Sequence, residues 1–234
     1  MRSLIEAIAA RDSVRARQLV EASPEVTRWA IAAGATRADA ASHYFEGINH
    51  YAYAGDTALH LAAAAYQRDV VEELLRRGAG VDAQNRRGAR PLHYASDGVP
   101  GSSAWEPSAQ AATVAQLLQA GADADAVDKS GVAPLHRAAR TRSVGAVRAL
   151  LEGGADVRLR NGSGSEALHL AVQDTGRGGS GAEAARVAQR EVIALLLRYG
   201  AKASDLTASG KAALELVKAD WIRELLLEES GVRC

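Results

Sequence analysis

Two apolar patterns alternate along the chain at a regular spacing. The first is a short segment of small residues with a Leu-His pair, and it recurs as GDTALHLAA, GARPLHYAS, GVAPLHRAA and GSEALHLAV. The second follows each copy as an apolar run closed by glycine, as in LLRRGAGVDA and LLQAGADADA. The four histidines, His60, His93, His136 and His169, are 33, 43 and 33 residues apart. The period is therefore 33 residues, with ten extra residues in one unit.

Each copy of the two patterns predicts a helix–turn–helix unit. The first pattern predicts a short helix, and the second predicts a longer helix that ends where glycine supplies a left-handed backbone. Such glycines close all four runs: Gly78, Gly121, Gly154 and Gly200. Because one unit alone is too small to bury its apolar face, stacking of successive units must provide the core.

The two motifs resemble the ankyrin repeat, which runs G-x-T-P-L-H-x-A-A and then an apolar helix that ends L-L-x-x-G-A-D. The resemblance covers residues 52–206, with alanine or another residue at some of the usual Thr and Pro positions. It implies an all-α solenoid of stacked helix–turn–helix units with short hairpin loops. It also implies that the repeated histidines tie neighbouring turns together by hydrogen bonds.

The chain is predicted to form a single ankyrin-repeat domain. Residues 1–22 form a degenerate N-terminal cap repeat, and residues 53–206 form the four regular repeats. Residues 207–234 form a C-terminal cap, in which GKAALELV repeats the first motif with Glu215 at the histidine position.

Three insertions interrupt this array. Residues 23–52 are predicted to form an extra helical hairpin before the first repeat, because a Ser-Pro start, apolar residues at helical spacing and a closing Gly34 lie there. The insertions near residues 98–110 and 175–188 are predicted to be loops, because both are rich in glycine and serine.

The first insertion holds polar residues at helical spacing. The positions Asp39, His43, Glu46 and His50 are spaced by 4, 3 and 4 residues and would share one stripe of a helix. Such a stripe is a candidate for a divalent-metal site or for proton transfer between imidazole and carboxylate. The alternative is a solvated face without function. No cofactor is expected.

Aromatic residues cluster beside these positions. Tyr44, Tyr51 and Tyr53 lie within ten residues, in a chain with only ten aromatic residues. Because tyrosine is enriched at binding hot spots, these three are candidate contacts to a ligand or partner. The alternative is that they fill the insertion's own core. Trp105, in the second insertion, either pins its loop to the scaffold or offers an anchor to a partner.

Basic residues are concentrated in the middle of the array, although the chain carries no net charge. Residues 129–160 contain seven bases and two acids. By the resemblance, three basic residues lie at hairpin tips and one lies on an inner helix; these are Arg86, Arg87, Lys129 and Arg140. Together they would form a positive concave patch for an acidic protein partner. The alternative is a solvated face compensated by acids such as Asp97.

The predicted function is a protein–protein interaction scaffold that binds its partner through the concave face and the hairpin tips. The alternative is a small-molecule-binding protein or an unusual enzyme, with a pocket formed by the insertions around His43, His50, Tyr51 and Asp97. An enzyme is not favoured, because the sequence has no phosphate-binding loop, no paired-histidine zinc helix and no nucleophile elbow.

Composition excludes several other classes. The single cysteine, Cys234, excludes an internal disulfide and a cysteine zinc site. A neutral chain has no general attraction to nucleic acid or membrane surfaces, and no apolar run is long enough to span a bilayer. The first residues lack the apolar run of a signal peptide, so a cytoplasmic protein is expected. The protein is also expected to be a monomer. Only four of the 28 basic residues are lysine, which favours a bacterial source with a GC-rich genome.

Overall fold

A computed structural model of the protein describes residues 2–36, 38–103, 105–173, 182–205, 207 and 209–229. Within these ranges the chain forms twelve α-helices and one two-stranded β-hairpin. The helices are α1 (Arg2–Ala9), α2 (Ser13–Ala22), α3 (Ala58–Ala64), α4 (Arg68–Arg76), α5 (Pro91–Ala95), α6 (Pro107–Gln119), α7 (Pro134–Arg140), α8 (Val144–Glu152), α9 (Ala167–Ala171), α10 (Glu183–Arg198), α11 (Ala213–Leu216) and α12 (Asp220–Glu229).

The helices pack in consecutive pairs, and the pairs stack in chain order. The odd-numbered helices pack against one another as an inner layer, and the even-numbered helices form an outer layer. One continuous core of Ala, Leu, Val and Ile side chains runs through the stack from Leu4 to Leu226. The predicted all-α repeat solenoid is therefore confirmed.

Glycine ends the outer helix of each regular repeat, as predicted. The φ angles of Gly78, Gly121, Gly154 and Gly200 are +85°, +89°, +90° and +101°. A Cβ added at any of these four glycines would meet no atom within 4 Å. The left-handed backbone, and not a close neighbour, therefore selects glycine at the helix end.

The repeated histidine joins each repeat to the next. In the first repeat, His60 Nδ1 accepts a hydrogen bond from the Thr57 backbone N–H, and Nε2 donates to the Ala89 carbonyl in the next hairpin, both at 3.1 Å. The other three histidines make the same two kinds of contact: His93 with Arg90 and Val132, His136 with Ala133 and Leu159, and His169 with Glu166 and Asp205. The four histidines are structural links.

The prediction of a helical hairpin over residues 23–52 is wrong. This insertion contains three short 3-10 helices (Pro24–Arg28, Ala41–His43 and Glu46–Ile48) and a hairpin of β1 (Tyr44–Phe45) paired antiparallel with β2 (His50–Tyr51). Backbone groups between the 3-10 helices pair with distant residues: Ile31 N–H donates to Asp56, and Ala35 N–H donates to Ala52, both at 2.8 Å. These bonds replace the bonds that a local helix would have made.

Two glycines in the insertion permit close approach of chain segments. A Cβ on Gly34 would lie 2.5 Å from backbone atoms of Tyr53 and Ala54, and one on Gly47 would lie 2.3 Å from the Ala9 carbonyl oxygen. The sequence predicted that Gly34 ends a helix, and this prediction is wrong. Both glycines let the insertion pack directly onto the repeat stack.

The other two insertions end sooner than predicted. In the second, the described residues 96–103 and 105–106 form a loop, because Pro107 starts α6 and the Glu106 carboxylate caps it by accepting from two backbone N–H groups. In the third, residues 174–181 lie outside the described residues. Because α10 begins at Glu183, residues 183–188 of the predicted loop are helical.

We expect His93→Ala to lower the free energy of unfolding by about 1–3 kcal/mol, because it removes the buried imidazole that pairs with the Arg90 N–H and the Val132 carbonyl. Urea denaturation followed by circular dichroism measures this loss. The matched control is His43→Ala, which changes a half-buried histidine outside the repeats and should cost less than about 0.5 kcal/mol. An equal loss of unfolding free energy in the two variants would contradict the role of His93 as a structural link.

The same links should make stability depend on pH. Burial lowers the pKa of His60 and of His93 from 6.5 to about 4. As the pH falls below 6.5 the unfolded chain takes up protons first, so stability is complete above that pH and is lost progressively toward pH 4. We expect the urea midpoint to fall across this range, and to fall less steeply in His93→Gln, which cannot titrate. Superimposable pH profiles would disprove this linkage.

Candidate ligand groove

A groove with a volume of about 430 Å³ crosses the inner layer at the second and third repeats. Its floor is formed by α5 and α7. One side is formed by the turns between repeats around residues 85–89 and 128–132, which we call the hairpin tips, and one end is formed by residues 49–51 of the first insertion. We call it the concave groove. Its lining residues are Asn49, His50, Tyr51, Tyr53, Asn85, Arg87, Ala89, Tyr94, Asp97, Val99, Asp128, Ser130, Val132, Arg137 and Arg140.

The second and third repeats each present two side chains to the groove from equivalent positions. Tyr94 in α5 and Asp97, two residues beyond the end of α5, lie one and four residues after His93, and Arg137 and Arg140 lie at the same distances after His136 in α7. Residues three apart share one face of a helix. The same turn that directs the histidine into the core therefore directs these side chains into the groove.

A buried carboxylate lies beneath the groove. Asp56 is 0% exposed, and it accepts hydrogen bonds from the Tyr94 hydroxyl and Asn85 Nδ2 at 2.8 Å and from the Tyr53 backbone N–H at 2.6 Å. Burial raises the pKa of Asp56, and these three donors oppose that rise. Burial also raises the pKa of Tyr94, which keeps its hydroxyl protonated as a donor. The cluster ties the first repeat to the second.

The first insertion places a neutral histidine over this cluster. The rings of His50 and Tyr94 stack with their centroids 4.4 Å apart. Burial lowers the pKa of His50, so its ring is neutral at pH 7. Its Nδ1 lies 2.7 Å from the Tyr51 carbonyl oxygen and must donate there, because a carbonyl only accepts. His50 Nε2 is therefore the hydrogen-bond acceptor of this ring.

One arginine stands at the tips beside an aromatic ring. The Arg87 guanidinium carbon lies 4.9 Å from the centroid of the Tyr53 ring. A cation over an aromatic face is attracted by the π electrons. This contact orients Arg87 at the edge of the groove without occupying the N–H donors of its guanidinium.

Acids inside the groove hold its two other arginines to different extents. Arg137 donates to Asp128 at 3.0 Å and lies 3.6 Å from Asp97, and its side chain is 14% exposed. The Arg140 side chain is 60% exposed and reaches Asp97 only at 3.5 Å. Arg137 is therefore held mainly by Asp128, whereas Arg140 shares Asp97 with Arg137 and keeps more than half of its side chain exposed to solvent.

Family comparisons agree with the observed repeats. The model for three consecutive ankyrin repeats matches residues 104–205, and the single-repeat model matches residues 54–86, which together make up more than half of the chain. The chain belongs to the ankyrin repeat family. Ankyrin repeats are generally protein–protein interaction modules. A comparison with curated proteins found no match. No helix among the described residues of this ankyrin repeat protein has the length and apolarity to cross a bilayer.

The ankyrin stack brings several of the sequence-predicted site residues together. Four of the predicted contact residues line the concave groove, and they are Tyr51, Tyr53, Arg87 and Arg140. Two further residues of the alternative pocket, His50 and Asp97, line it as well. Residues from the two competing predictions therefore meet at one place.

Four other candidates lie outside this lining. The Tyr44 ring packs on that of Tyr51 with centroids 4.8 Å apart, and the Arg86 guanidinium donates to the Ala35 carbonyl, which ties its tip to the insertion. Lys129 contributes its backbone N–H to the Arg87 carbonyl at 2.9 Å. Trp105 is half-buried, and its Nε1 donates to Gln110 Oε1 at 2.8 Å, which fixes the loop against α6.

The prediction of an Asp39–His43–Glu46–His50 stripe on a helix is wrong. The segment consists of 3-10 turns and a short strand, so the four side chains do not share a face. His43 lies 3.7 Å from Asp39 and lines a separate depression beside α1, whereas His50 lines the groove. Across the described ranges, no group of three or more His, Cys, Asp or Glu residues is arranged to hold a metal ion.

Sequence reasoning missed four lining residues that matter for the groove. Tyr94 and Arg137 directly follow a repeated histidine, so their place in the repeat was a usable signal. Asn49 and Val99 belong to insertions, and Asn49 adopts a left-handed backbone with φ of 50°. The repeat pattern carries no information about either residue.

We expect Tyr94→Phe to lower the free energy of unfolding by about 1–3 kcal/mol, because Asp56 loses one donor and stays buried. The control is Tyr44→Phe, which removes the hydroxyl of an exposed tyrosine and should change the value by less than about 0.5 kcal/mol. Urea denaturation of the two variants tests this. A stability equal to the wild type for Tyr94→Phe would show that the Tyr94–Asp56 bond does not hold the repeats together.

Proposed function

We propose that this ankyrin repeat protein is a scaffold that binds a segment of a partner protein in the concave groove. The observation that carries the proposal is the presence in one groove of Arg87, whose guanidinium lies over the Tyr53 ring, and of Arg140, whose side chain is 60% exposed although it donates to Asp97 at 3.5 Å. Guanidinium groups held in this way are free to bind a carboxylate of the partner.

Preorganisation of the tips supports this function. Backbone hydrogen bonds link each tip to the next: Arg86 N–H donates to Ala54, Lys129 N–H to Arg87, and Gly162 N–H to Ser130, at 2.8–3.0 Å. Such a surface loses little conformational freedom when a partner binds, so more of the contact energy appears as affinity.

The charge of the lining favours an acidic partner segment. The groove is lined by three arginines and two aspartates, so positive charge is in excess. Asp128 pairs with Arg137, and Asp97 lies between Arg137 and Arg140, so the three arginines keep one positive charge in excess of the two aspartates. Binding between exposed charges weakens as salt rises, because the attraction is screened over about 8–10 Å at physiological ionic strength.

A second candidate function is the binding of a small molecule, or an unusual enzymatic activity, in the same groove. It is favoured by His50, Tyr51 and Asp97, which line the groove, and by a volume within the range of small-ligand sites. His43 does not support it, because His43 lines a different depression.

Affinity capture with charge-reversed variants tests the scaffold. We expect the double variant Arg87→Glu/Arg140→Glu to capture at least about tenfold less of a partner than the wild type, because it loses charge-assisted hydrogen bonds to that partner. The matched control is Arg15→Glu/Arg68→Glu, which reverses two exposed arginines of the outer helices. Quantitative mass spectrometry of the three baits, at low and high salt, gives the measurement.

Two outcomes would decide against binding of a protein partner in the concave groove. A partner retained by the groove variant and lost by the outer-helix control would place binding on the other face. A metabolite-library thermal shift that is abolished by His50→Ala, with no partner dependent on Arg87 or Arg140, would favour the small-molecule alternative.

A further inference from the structure

The two aspartates of the concave groove are held in different ways. The Asp128 carboxylate is nearly buried, accepts from two backbone N–H groups of its own hairpin tip and pairs with Arg137 at 3.0 Å. The Asp97 side chain is 27% exposed, and its oxygens lie 3.6 Å from Arg137 and 3.5 Å from Arg140. Asp128 is therefore part of the structure of its tip, whereas Asp97 makes two long contacts to arginines at the surface of the groove.

The backbone of Asp97 is fixed by residues of two other repeats. Asp97 lies beyond the end of α5, at the start of the second insertion. Its carbonyl accepts from the Tyr66 hydroxyl at 2.8 Å, and the N–H of the same peptide unit, which belongs to Gly98, donates to Thr141 Oγ1 at 3.2 Å. This peptide unit is therefore bonded at one end to the first repeat and at the other end to the third.

Tyr66 adopts a strained backbone conformation in the turn between α3 and α4. Its φ of 55° is left-handed, a conformation that glycine adopts without cost and that bulky residues avoid. Burial raises the pKa of the Tyr66 hydroxyl, so this group stays protonated as a donor. A tyrosine in a position that favours glycine indicates that its side chain is needed there, and the hydroxyl bonds to the Asp97 carbonyl.

We propose that Asp97 is an internal competitor for the carboxylate of a bound partner, and that Tyr66 positions it. A partner carboxylate that approaches Arg140 meets the Asp97 carboxylate, which already contacts that guanidinium, and the two like charges repel. Asp97 is the weaker ligand, because its contacts exceed the distance of about 2.7–2.9 Å at which a guanidinium and a carboxylate bond well. The inference rests on the proposed scaffold function and adds that only a segment that displaces Asp97 binds tightly.

Competition should act through one of the two arginines that the scaffold function uses. Asp97 contacts Arg140, whereas the Arg87 guanidinium lies over the Tyr53 ring. Removal of the Asp97 charge should therefore strengthen the part of binding that depends on Arg140.

Peptides of matched length test the competitor. The probes are random decapeptides with three glutamates, an acetylated N-terminus and an amidated C-terminus, and the binders of the wild-type chain are measured by fluorescence polarisation. We expect Asp97→Asn to bind these peptides at least about fivefold more tightly, because one like charge has been removed from the site. The gain should shrink as salt rises and should disappear when Arg140→Gln is added.

Two controls isolate the charge of Asp97. The same peptides with glutamine in place of glutamate should gain nothing from Asp97→Asn. Asp69→Asn removes a half-exposed acid of α4 that lies 3.8 Å from Arg17, and it should leave the binding of the acidic peptides unchanged.

A double-mutant cycle tests Tyr66 as a positioning residue. Tyr66→Phe removes the hydroxyl that holds the Asp97 carbonyl, so the acidic peptides should bind at least about twofold more tightly, the smallest coupling expected of residues in contact. In the Asp97→Asn background Tyr66→Phe should not change binding, because no competing charge is left to position. Urea denaturation should show the same loss of stability for Tyr66→Phe in both backgrounds. Tyr199→Phe, which changes an exposed tyrosine outside the groove, is the control.

The failures of the two proposals are distinguishable. Unchanged or weaker binding by Asp97→Asn, for peptides that depend on Arg87 and Arg140, would overturn the competitor and leave the scaffold function standing. An effect of Tyr66→Phe on binding that is equal in the two backgrounds, including none in either, would overturn its positioning role. Binding that is indifferent to both arginines would overturn both proposals, and so would the absence of any acidic binder.

Discussion

The repeat stack depends on one buried imidazole in each unit, which uses both ring nitrogens at once. Nδ1 accepts from the N–H that starts its own helix, and Nε2 donates to a carbonyl of the following hairpin or loop, as His60 does between Thr57 and Ala89. A buried polar group without a partner is costly. Each histidine therefore fixes where the next unit must lie, and the tips follow in register.

The groove arises because the residues around this fixed link are free to vary. The position after the histidine is occupied by Leu61, Tyr94, Arg137 and Leu170 in the four repeats. Leu61 is buried under the insertion, Tyr94 holds the Asp56 cluster and stacks with His50, and Arg137 organises the groove's aspartates. A constant scaffold position thus carries successive parts of one site. The recognition chemistry comes from the differences between repeats.

The sequence predicted the repeats well and the first insertion poorly, for physical reasons. A repeat is specified by neighbouring residues and recurs four times, so its helices and closing glycines follow from spacing, and the histidine links follow from the resemblance to the ankyrin repeat. The insertion is shaped by pairs far apart in the chain, such as Ala35 with Ala52 and Gly47 with Ala9, which local apolar spacing does not reveal. The same limit applied to the site: Tyr53, Arg87 and Arg140 were found at tip and inner-helix positions, but Arg86 bonds to the mispredicted segment instead.

The number of basic residues in the sequence overstates the positive patch, because a basic side chain that forms an ion pair within the protein contributes little charge to the surface. Arg148 pairs with Glu191, Arg158 with Asp205 and Arg160 with Glu166, at 3.1–3.3 Å, so much of the local excess is satisfied within the stack. In the groove, Asp128 pairs with Arg137, and Asp97 lies between Arg137 and Arg140, whereas Arg87 rests on the Tyr53 ring. The positive charge that the groove presents therefore depends on which arginines the aspartates hold. Since this pairing is not visible in a residue count, the specificity of the groove depends on geometry as much as on composition.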